Sequence, residues 1–283
     1  MRFHATRAAA AGVGALPGIR APWCDGVRGR LRDDPRTRRT GAPGAHRGGA
    51  SAVDEVRYLR AEAWSAMSEP LFGAEPVTVA PGAVHLPGWL SVGAQRDLVR
   101  RCRAWSRGAG GMVRHRMPRG GVMSVRMTAL GWFWEPYRYS RTLPDGAPVP
   151  PFPPILGELA RAGVEAAFGA PPGPADPPHD VALVNFYDAD ARMGMHQDRD
   201  EQADVPVVSL SLGDTCVFRF GNTRTRTRPY TDVELASGDL FVFGGPARMA
   251  YHGVPRTRPG TAPAGIGMER GRLNITVRAS GLE

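Results

Sequence analysis

The stretch RLNITVR, residues 272–278, alternates polar and apolar side chains over its whole length. Successive side chains of an extended strand point to opposite faces. Both arginines, the asparagine and the threonine therefore share one face, and the apolar side chains share the other. Charged and hydrogen-bonding groups are costly to bury in a hydrophobic core. The pattern predicts a strand whose polar face suits a small dicarboxylate held inside a barrel.

Further strand patterns fill the region before this stretch. They cover residues 181–187, 205–212, 216–220, 230–235 and 239–243, and turns of glycine, aspartate and asparagine separate them. Short antiparallel strands at such spacing indicate a sandwich or a jelly roll. The predicted fold is mostly β with flanking helices, and its jelly-roll core covers about residues 181–280.

Two helices are predicted before the strand-rich part. The first begins after Ser91, a favourable N-cap residue, and places Leu98 and Cys102 on one face. The second covers about residues 155–168, between a pair of prolines and a glycine. Between the helices, a strand pattern at Val122–Trp134 follows a loop rich in Gly, Arg and Met, and we expect a lid region at about residues 112–140.

Composition excludes several classes of protein. The 283 residues are 42% hydrophobic, enough for one large domain or two small ones. The three cysteines have no paired spacing, which argues against a disulfide framework and a cysteine zinc site. No run approaches the roughly 20 apolar residues of a membrane helix, and no clear signal peptide precedes the first domain. We expect a monomeric, cytoplasmic protein that does not associate with a membrane.

The net charge of +9 is concentrated near the N-terminus, because residues 1–66 hold 12 arginines and only six acidic residues. This segment is rich in Ala, Gly, Pro and Arg and lacks a sustained apolar period, which predicts a disordered extension. The folded domain is expected at residues 67–283. Bulk charge alone supports nucleic-acid binding only weakly.

Two histidines and one aspartate have the spacing of a metal site. His196 and Asp198 lie two positions apart, so an extended chain directs both side chains to the same face. His252 follows 54 positions after Asp198, from a different predicted strand. Two imidazoles and a carboxylate hold one face of Fe(II) in non-haem oxygenases and leave the other face open. The alternatives are a zinc hydrolase and a solvated polar loop at residues 196–198.

The order and spacing of these motifs resemble the AlkB family of nucleic-acid dealkylating dioxygenases, over roughly residues 70–280. The motifs that carry the resemblance are Met123-Ser124-Val125, Met127-Thr128, Gly131-Trp132, Tyr137-Arg138-Tyr139-Ser140, Asn185-Phe186-Tyr187, His196-Gln197-Asp198-Arg199-Asp200-Glu201, Ser209-Leu210-Ser211-Leu212-Gly213, Gly238-Asp239, Tyr251-His252-Gly253 and residues 272–278.

The resemblance implies a role for each matching residue. Fe(II) would be held by His196, Asp198 and His252. The co-substrate 2-oxoglutarate would be held by Asn185, Tyr187, Arg272, Asn274, Thr276 and Arg278. A guanidinium pairs bidentately with a carboxylate, so two arginines suit a dianion; an exposed arginine is the alternative for Arg278.

The resemblance also implies a set of residues that contact the nucleobase: Trp132, Tyr137, Tyr139, Asp200 and Arg226. An extruded base needs an aromatic face to stack on, and Trp134 is the alternative to Trp132. Asp200 could instead be a solvated loop acid. Thr225, not Arg226, aligns with the family's basic residue without a gap, so Arg226 could equally lie on a solvated hairpin edge.

The implied function is oxidative dealkylation of N-alkylated bases in DNA, with RNA as an alternative substrate, for repair of alkylation damage. The reaction consumes O2 and 2-oxoglutarate and releases succinate and formaldehyde. One alternative is a hydroxylase of a protein or small molecule on the same barrel. The other is a non-catalytic nucleic-acid binder, which would not need three iron ligands.

Overall fold

The computed structural model describes residues 75–118 and 120–283. The predicted extension at residues 1–66 and the domain boundary at residue 67 lie outside the described residues and stay predictions. The described helices are α1 (Val92–Trp105) and α2 (Pro154–Phe168), with a short 3-10 helix at Gly245–Ala247. The strands are β1 (Val77–Ala80), β2 (Ala83–Leu86), β3 (Arg126–Leu130), β4 (Phe133–Glu135), β5 (Arg138–Ser140), β6 (Val181–Tyr187), β7 (Met193–His196), β8 (Val207–Gly213), β9 (Thr215–Gly221), β10 (Tyr230–Leu235), β11 (Leu240–Phe243), β12 (His252–Arg258) and β13 (Arg272–Arg278).

The strands form two large antiparallel sheets and one small hairpin. The larger sheet has the order β1-β2-β11-β8-β13-β6-β3, and the smaller has the order β10-β9-β12-β7. Strands β4 and β5 pair only with each other. One hydrophobic cluster takes buried side chains from both large sheets, including Phe241 and Phe243 from one and Phe218 and Phe220 from the other. The prediction of a jelly-roll core with flanking helices is confirmed.

Most predicted elements are present with small shifts at their ends. Strands β6, β10 and β13 have the predicted bounds, and α2 begins one residue earlier than predicted. The N-cap at Ser91 is confirmed, because its hydroxyl accepts a hydrogen bond of 3.2 Å from the Ala94 amide. Strands β1, β2, β5 and β7 were not predicted, because strands of three or four residues are too short for an alternating pattern to stand out. Strand β12 was expected only as the strand that carries His252, without bounds, and it is seven residues long.

The predicted strand at Val122–Trp134 is two strands, because the chain turns at Gly131. This glycine has a φ of 84°, and a Cβ there would lie 1.9 Å from the carbonyl oxygen of Asp180. Only glycine fits such a position. The turn separates β3, which pairs with β6, from the β4–β5 hairpin.

The fold brings the polar strand β13 to the centre of the larger sheet. Its neighbours are β6 and β8, and Asn274 lies opposite Asn185 on one side and Ser211 on the other. Helix α2 contacts β2, β8, β11 and β13. Among the described residues, no helix is both long and apolar enough to cross a bilayer.

Candidate metal and co-substrate site

A cavity of about 580 Å³ opens between the two large sheets. Its wall includes most of the residues singled out in the sequence: Tyr137, Asn185, Tyr187, His196, Asp198, Asp200, Arg226, His252, Arg272, Asn274, Thr276 and Arg278. Trp132 and Tyr139 do not line it. The topology explains the convergence, since β6 and β13 are adjacent in one sheet and β7 and β12 are adjacent in the other.

The two histidines and the aspartate converge at one end of this cavity. His196 ends β7, His252 begins β12, and the register of the two strands places these residues opposite each other. The Nε2 atoms of His196 and His252 lie 3.6 Å from separate oxygens of Asp198. One ligand atom from each of the three residues lies within 4.8 Å of the other two. These ligand atoms are close enough together to share one metal ion.

Backbone hydrogen bonds fix both imidazoles in the orientation that metal binding requires. The Nδ1 of His196 lies 2.9 Å from the carbonyl oxygen of Gly194, and the Nδ1 of His252 lies 3.0 Å from that of Ala250. A carbonyl oxygen can only accept, so each Nδ1 carries the proton and each Nε2 presents a lone pair. Burial lowers the pKa of His252 to about 4, which keeps this imidazole neutral at physiological pH.

The Asp198 carboxylate is held charged at a buried position. Burial alone raises the pKa of Asp198, but the positive charge of Arg278 above all outweighs burial and lowers it to about 2. Its Oδ1 accepts a hydrogen bond of 2.7 Å from Arg278, whereas its Oδ2 has no hydrogen-bond partner. A buried, ionised oxygen that lacks a hydrogen-bond donor and lies 3.6 Å from the Nε2 of His252 is suited to bind a metal ion.

Arg272 lies on the same polar face as Arg278 but has no acidic partner among the described residues. Its side chain is 1% exposed, its Nε has no hydrogen-bond acceptor, and its Nη1 reaches only the carbonyl oxygen of Leu273 at 3.5 Å. The guanidinium also lies 5.7 Å from the ring of Tyr187. A buried cation without a counter-ion is strongly unfavourable, so the cavity is built to receive an anion here.

The neighbouring polar groups extend this anion site along β6 and β13. The Asn274 amide donates 2.7 Å to the Ser209 hydroxyl, and Thr276 donates 2.9 Å to Asn274 Oδ1. The buried Oδ1 of Asn185 has no partner, and the Tyr187 hydroxyl reaches only the sulfur of Met193 at 3.8 Å. These side chains belong to the predicted co-substrate set, and the structure brings them to one cavity wall.

Arg278 also lines the cavity but already has two acidic partners. Its Nη2 donates to Asp198, and its Nη1 donates 3.0 Å to Glu201. Two carboxylates therefore neutralise this guanidinium in the absence of a ligand. The alternative of an exposed arginine is wrong, because its side chain is 9% exposed. Its Nε has no acceptor among the described residues, and its contact with the co-substrate stays a prediction.

The tryptophan at the cavity is Trp134, and the choice of Trp132 is corrected. The Trp132 indole points away, donates 2.8 Å to Asp180 and is covered by the Arg141 guanidinium at 3.6 Å from the ring centroid. Trp134 lines the cavity, and its indole donates 2.8 Å to Asp200. The Gly131 turn sets this difference, because it starts a new strand in which Trp134 faces inward.

The two tyrosines also lie in different places. Tyr137 is 58% exposed at the cavity mouth, where the Arg199 guanidinium lies 5.7 Å from its ring. The prediction that Tyr139 contacts the base does not fit the structure. Its hydroxyl lies behind the cavity wall and donates to Glu201. Burial raises the pKa of Tyr139, so this hydroxyl stays protonated and can donate.

The cavity rim contains Arg226, whose guanidinium lies 5.9 Å from the ring of Tyr251.

Sequence reasoning missed two site residues, Glu201 and Arg248. Glu201 was given no role of its own in the sequence analysis, yet its side chain is fully buried. Its place in the motif that starts at His196 was the available signal. Arg248 stands alone in a loop, and no pattern marks it.

Comparison with known proteins gives consistent matches. A model of the 2OG-Fe(II) oxygenase superfamily matches residues 82–278. The chain is 44% identical over 216 residues to an alpha-ketoglutarate-dependent dioxygenase AlkB homolog of Caulobacter vibrioides (strain NA1000 / CB15N), across 72% of this chain and 90% of that protein. It is 34% identical over 229 residues to the DNA N(6)-methyladenine demethylase ALKBH1C of Arabidopsis thaliana, across 73% of this chain and 50% of that protein. The solved structure of OsALKBH1 superposes with a TM-score of 0.64 at 35% identity, across 71% of this chain and 100% of that chain.

Proposed function

Because the chain belongs to the AlkB family of 2-oxoglutarate- and Fe(II)-dependent oxygenases, we propose that it removes alkyl groups from N-alkylated bases in DNA strands. Its cofactor is Fe(II), and its co-substrates are 2-oxoglutarate and O2. When bound, these supply an oxidation that converts 2-oxoglutarate to succinate and CO2 and hydroxylates the alkyl carbon. The hydroxymethyl group of a methylated base then leaves the nitrogen as formaldehyde.

The three metal-site residues have separate tasks in this proposal. His196 and His252 offer neutral nitrogen ligands, and Asp198 offers the anionic oxygen that has no other partner. Together these three residues would hold the ion, and a set of three protein ligands would leave positions for co-substrate and oxygen. The carbonyl oxygens behind the imidazoles hold the rings in place as the site loads.

The co-substrate lies along the polar face of β13. Arg272 pairs with one carboxylate of 2-oxoglutarate, because it is the fully buried cation of the cavity that lacks an acidic partner. The Tyr187 hydroxyl and the Asn185 amide can complete the hydrogen bonds of the same end. Asn274 and Thr276 hold the neighbouring wall through their mutual hydrogen bond.

The nucleobase enters from the lid side. Trp134 offers an aromatic face to a base that has left its stack, and Tyr137 extends that face at the mouth. The carboxylate of Asp200, fixed by the Trp134 indole, favours a base that is cationic or carries an exocyclic amine. Arg226 on the rim is suited to a phosphate.

The observation that carries the nucleobase proposal is the Trp134–Asp200 pair in the same cavity as the metal site. Its test is incubation of the purified protein with Fe(II), 2-oxoglutarate and oligonucleotides that contain 1-methyladenine or N6-methyladenine, in DNA and in RNA. Formaldehyde and the mass of the oligonucleotide would be measured, with His252→Ala as the inactive control. Turnover of 2-oxoglutarate without demethylation of any oligonucleotide would favour a hydroxylase of another substrate.

The predictions of a monomer and of a cytoplasmic location rest on the sequence alone. Analytical ultracentrifugation and cell fractionation would test them. A role in repair would be tested by the sensitivity of a strain that lacks the protein to a methylating agent.

A further inference from the structure

Four charged side chains form a buried cluster directly behind the metal site: Asp198, Glu201, Arg248 and Arg278. Their side-chain exposure is 2%, 0%, 5% and 9%. Two guanidiniums balance two carboxylates. A buried ion pair is a weak source of stability, because desolvation offsets its attraction and apolar residues can often replace it. Its position beside a metal ligand points instead to control of geometry.

Glu201 is the centre of this cluster. Its Oε2 accepts a hydrogen bond of 3.1 Å from Arg248, and its Oε1 accepts one of 3.0 Å from Arg278. The two carboxylate oxygens thus hold two guanidiniums at a fixed separation. Glu201 does not line the cavity and lies too deep to contact a substrate.

Both arginines also hold Asp198, each at a different point. Arg278 donates 2.7 Å to the side-chain Oδ1, and Arg248 donates 2.6 Å to the main-chain oxygen. Arg248 is itself anchored by a hydrogen bond of 3.1 Å to the carbonyl oxygen of Val205. Side chain and backbone of the metal-site aspartate are therefore fixed from the same carboxylate, Glu201.

Tyr139 connects this cluster to the lid hairpin. Its hydroxyl donates to Glu201 and accepts a hydrogen bond of 3.3 Å from Arg278. On the hairpin, Tyr139 is paired across the strands with Trp134, whose indole holds Asp200. Adjacent residues of one hairpin thus contact both Asp200 and Glu201, on the segment that begins with the metal ligand Asp198.

We propose that Glu201, Arg248 and Tyr139 are positioning residues: Glu201 and Arg248 set the Asp198 carboxylate for metal binding, and Tyr139 ties this cluster to the hairpin that carries Trp134. A base stacked on Trp134 presses on that hairpin, and the Tyr139 hydroxyl transmits the hairpin position to Arg278 and Asp198. Loss of Glu201 loosens the metal site itself. Loss of the Tyr139 hydroxyl leaves the metal site intact but separates it from the base. The link to the base rests on the proposed function, whereas the effect on metal binding does not.

The metal arm uses Glu201→Gln, which keeps the shape and removes the charge. Co(II) would be titrated into chelator-treated protein and followed by visible absorption, and the melting temperature of the metal-free protein would be measured alongside. We expect Co(II) affinity to fall about 10-fold, the lower end of the range for partners of a metal ligand, because Glu201 acts on Asp198 through the two arginines. Glu234→Gln, at an exposed acid paired with Arg258, should bind Co(II) as the wild type does. Wild-type affinity in folded Glu201→Gln would overturn the positioning role of Glu201.

The lid arm uses Tyr139→Phe, which leaves both arginines on Glu201 and so should fold even if Glu201→Gln does not. Succinate and formaldehyde would be counted in the same reaction with a methylated oligonucleotide. We expect Co(II) affinity within about twofold of the wild type, but formaldehyde per succinate about tenfold lower, the scale of one lost hydrogen bond to a charged group. Tyr230→Phe, on β10 outside the cavity wall, is the matched control. An unchanged ratio in Tyr139→Phe would overturn the link.

Failure of the proposed function has a different signature. A wild type that releases no formaldehyde from any methylated oligonucleotide would refute nucleobase dealkylation and, with it, the link through Tyr139. The Co(II) titration of Glu201→Gln would still decide whether the cluster positions Asp198.

Discussion

Strand β13 has an arginine at each end, and only one of the two is neutralised by carboxylates. Arg278 is enclosed by Asp198 and Glu201, with both partners within 3.0 Å. Arg272, six residues earlier on the same buried face, has no carboxylate partner within the described part of the chain. The protein therefore supplies the counter-ions of Arg278 itself, whereas Arg272 remains available to pair with an anionic ligand. Burial of a charge indicates structure or function only once its partners are known.

The largest loss of activity is expected from the three metal ligands, which lie next to the Arg278 end of β13. His196→Ala, Asp198→Ala or His252→Ala should abolish turnover, since each ligand is needed to hold the ion. The histidine variants should fold normally. Asp198→Ala should also lower the free energy of unfolding, because Arg278 loses one of its two carboxylates. Co(II) titration, 2-oxoglutarate turnover and urea unfolding would measure these effects, and full activity in any variant would remove that residue from the ligand set.

The comparison itself is tested by Arg272→Met and Arg278→Met. Loss of Arg272 should raise the KM for 2-oxoglutarate at least about 10- to 100-fold, as expected when a hydrogen bond of roughly 1.5–3 kcal/mol to a charged group is lost. It should not lower the stability of the ligand-free protein, because no acidic partner is stranded. Loss of Arg278 leaves the buried Asp198 carboxylate without its arginine partner and should lower the free energy of unfolding by about 3–5 kcal/mol.

Equal destabilisation by Arg272→Met and Arg278→Met would mean that Arg272 has a structural partner after all. An unchanged KM for 2-oxoglutarate in Arg272→Met would remove this residue from the co-substrate site. Urea unfolding of the ligand-free variants and initial rates at a fixed oligonucleotide concentration would supply both measurements.

The stability of the metal-free protein should depend on pH through the metal site and not through Arg272. The pKa of His252 is lowered from 6.5 to about 4 by burial. Between pH 6.5 and 4, His252 is protonated in the unfolded chain but neutral in the folded chain. The free energy of unfolding therefore falls as the pH drops toward 4. Over that window the loss from His252 approaches roughly 3 kcal/mol. Burial also lowers the pKa of His115 and His179, which adds loss of the same sign.

The variant His252→Asn isolates the contribution of one histidine. Its free energy of unfolding should depend less steeply on pH between 6.5 and 4 than that of the wild type, by about one proton. Arg272→Met should keep the wild-type slope, because arginine side chains stay charged throughout this range. Urea unfolding at several pH values would measure the slopes. Equal slopes for wild type and His252→Asn would contradict the lowered pKa.

The sequence predicted the strand β13 and its polar face correctly, because a period of two is visible over seven residues. The sequence also predicted that His196, Asp198 and His252 lie together, since their residue types and their order are strong signals. It could not predict which arginine was already neutralised. That depends on Glu201 and Arg248, which reach Arg278 and Asp198 only through the folding of a loop. Ion-pair partners of this kind leave no periodic pattern.

The distinction between a satisfied group and an available one extends to the lid, and it gives the smallest predicted effect. Trp132 and Trp134 lie two residues apart, and a turn at Gly131 places only Trp134 in the cavity. Stacking contributes about 1–3 kcal/mol per base, so Trp134→Ala should weaken capture of a methylated oligonucleotide roughly five- to hundredfold. It should spare the slow decay of 2-oxoglutarate without nucleic acid, because the metal and co-substrate residues lie on the barrel.

Trp132→Ala, the matched control, should reduce stability through lost packing and leave the KM for the oligonucleotide unchanged in the folded fraction. If Trp132→Ala weakened capture and Trp134→Ala did not, the assignment would return to the residue that the sequence favoured. If both were silent, stacking on the lid would not be how this cavity recognises its substrate.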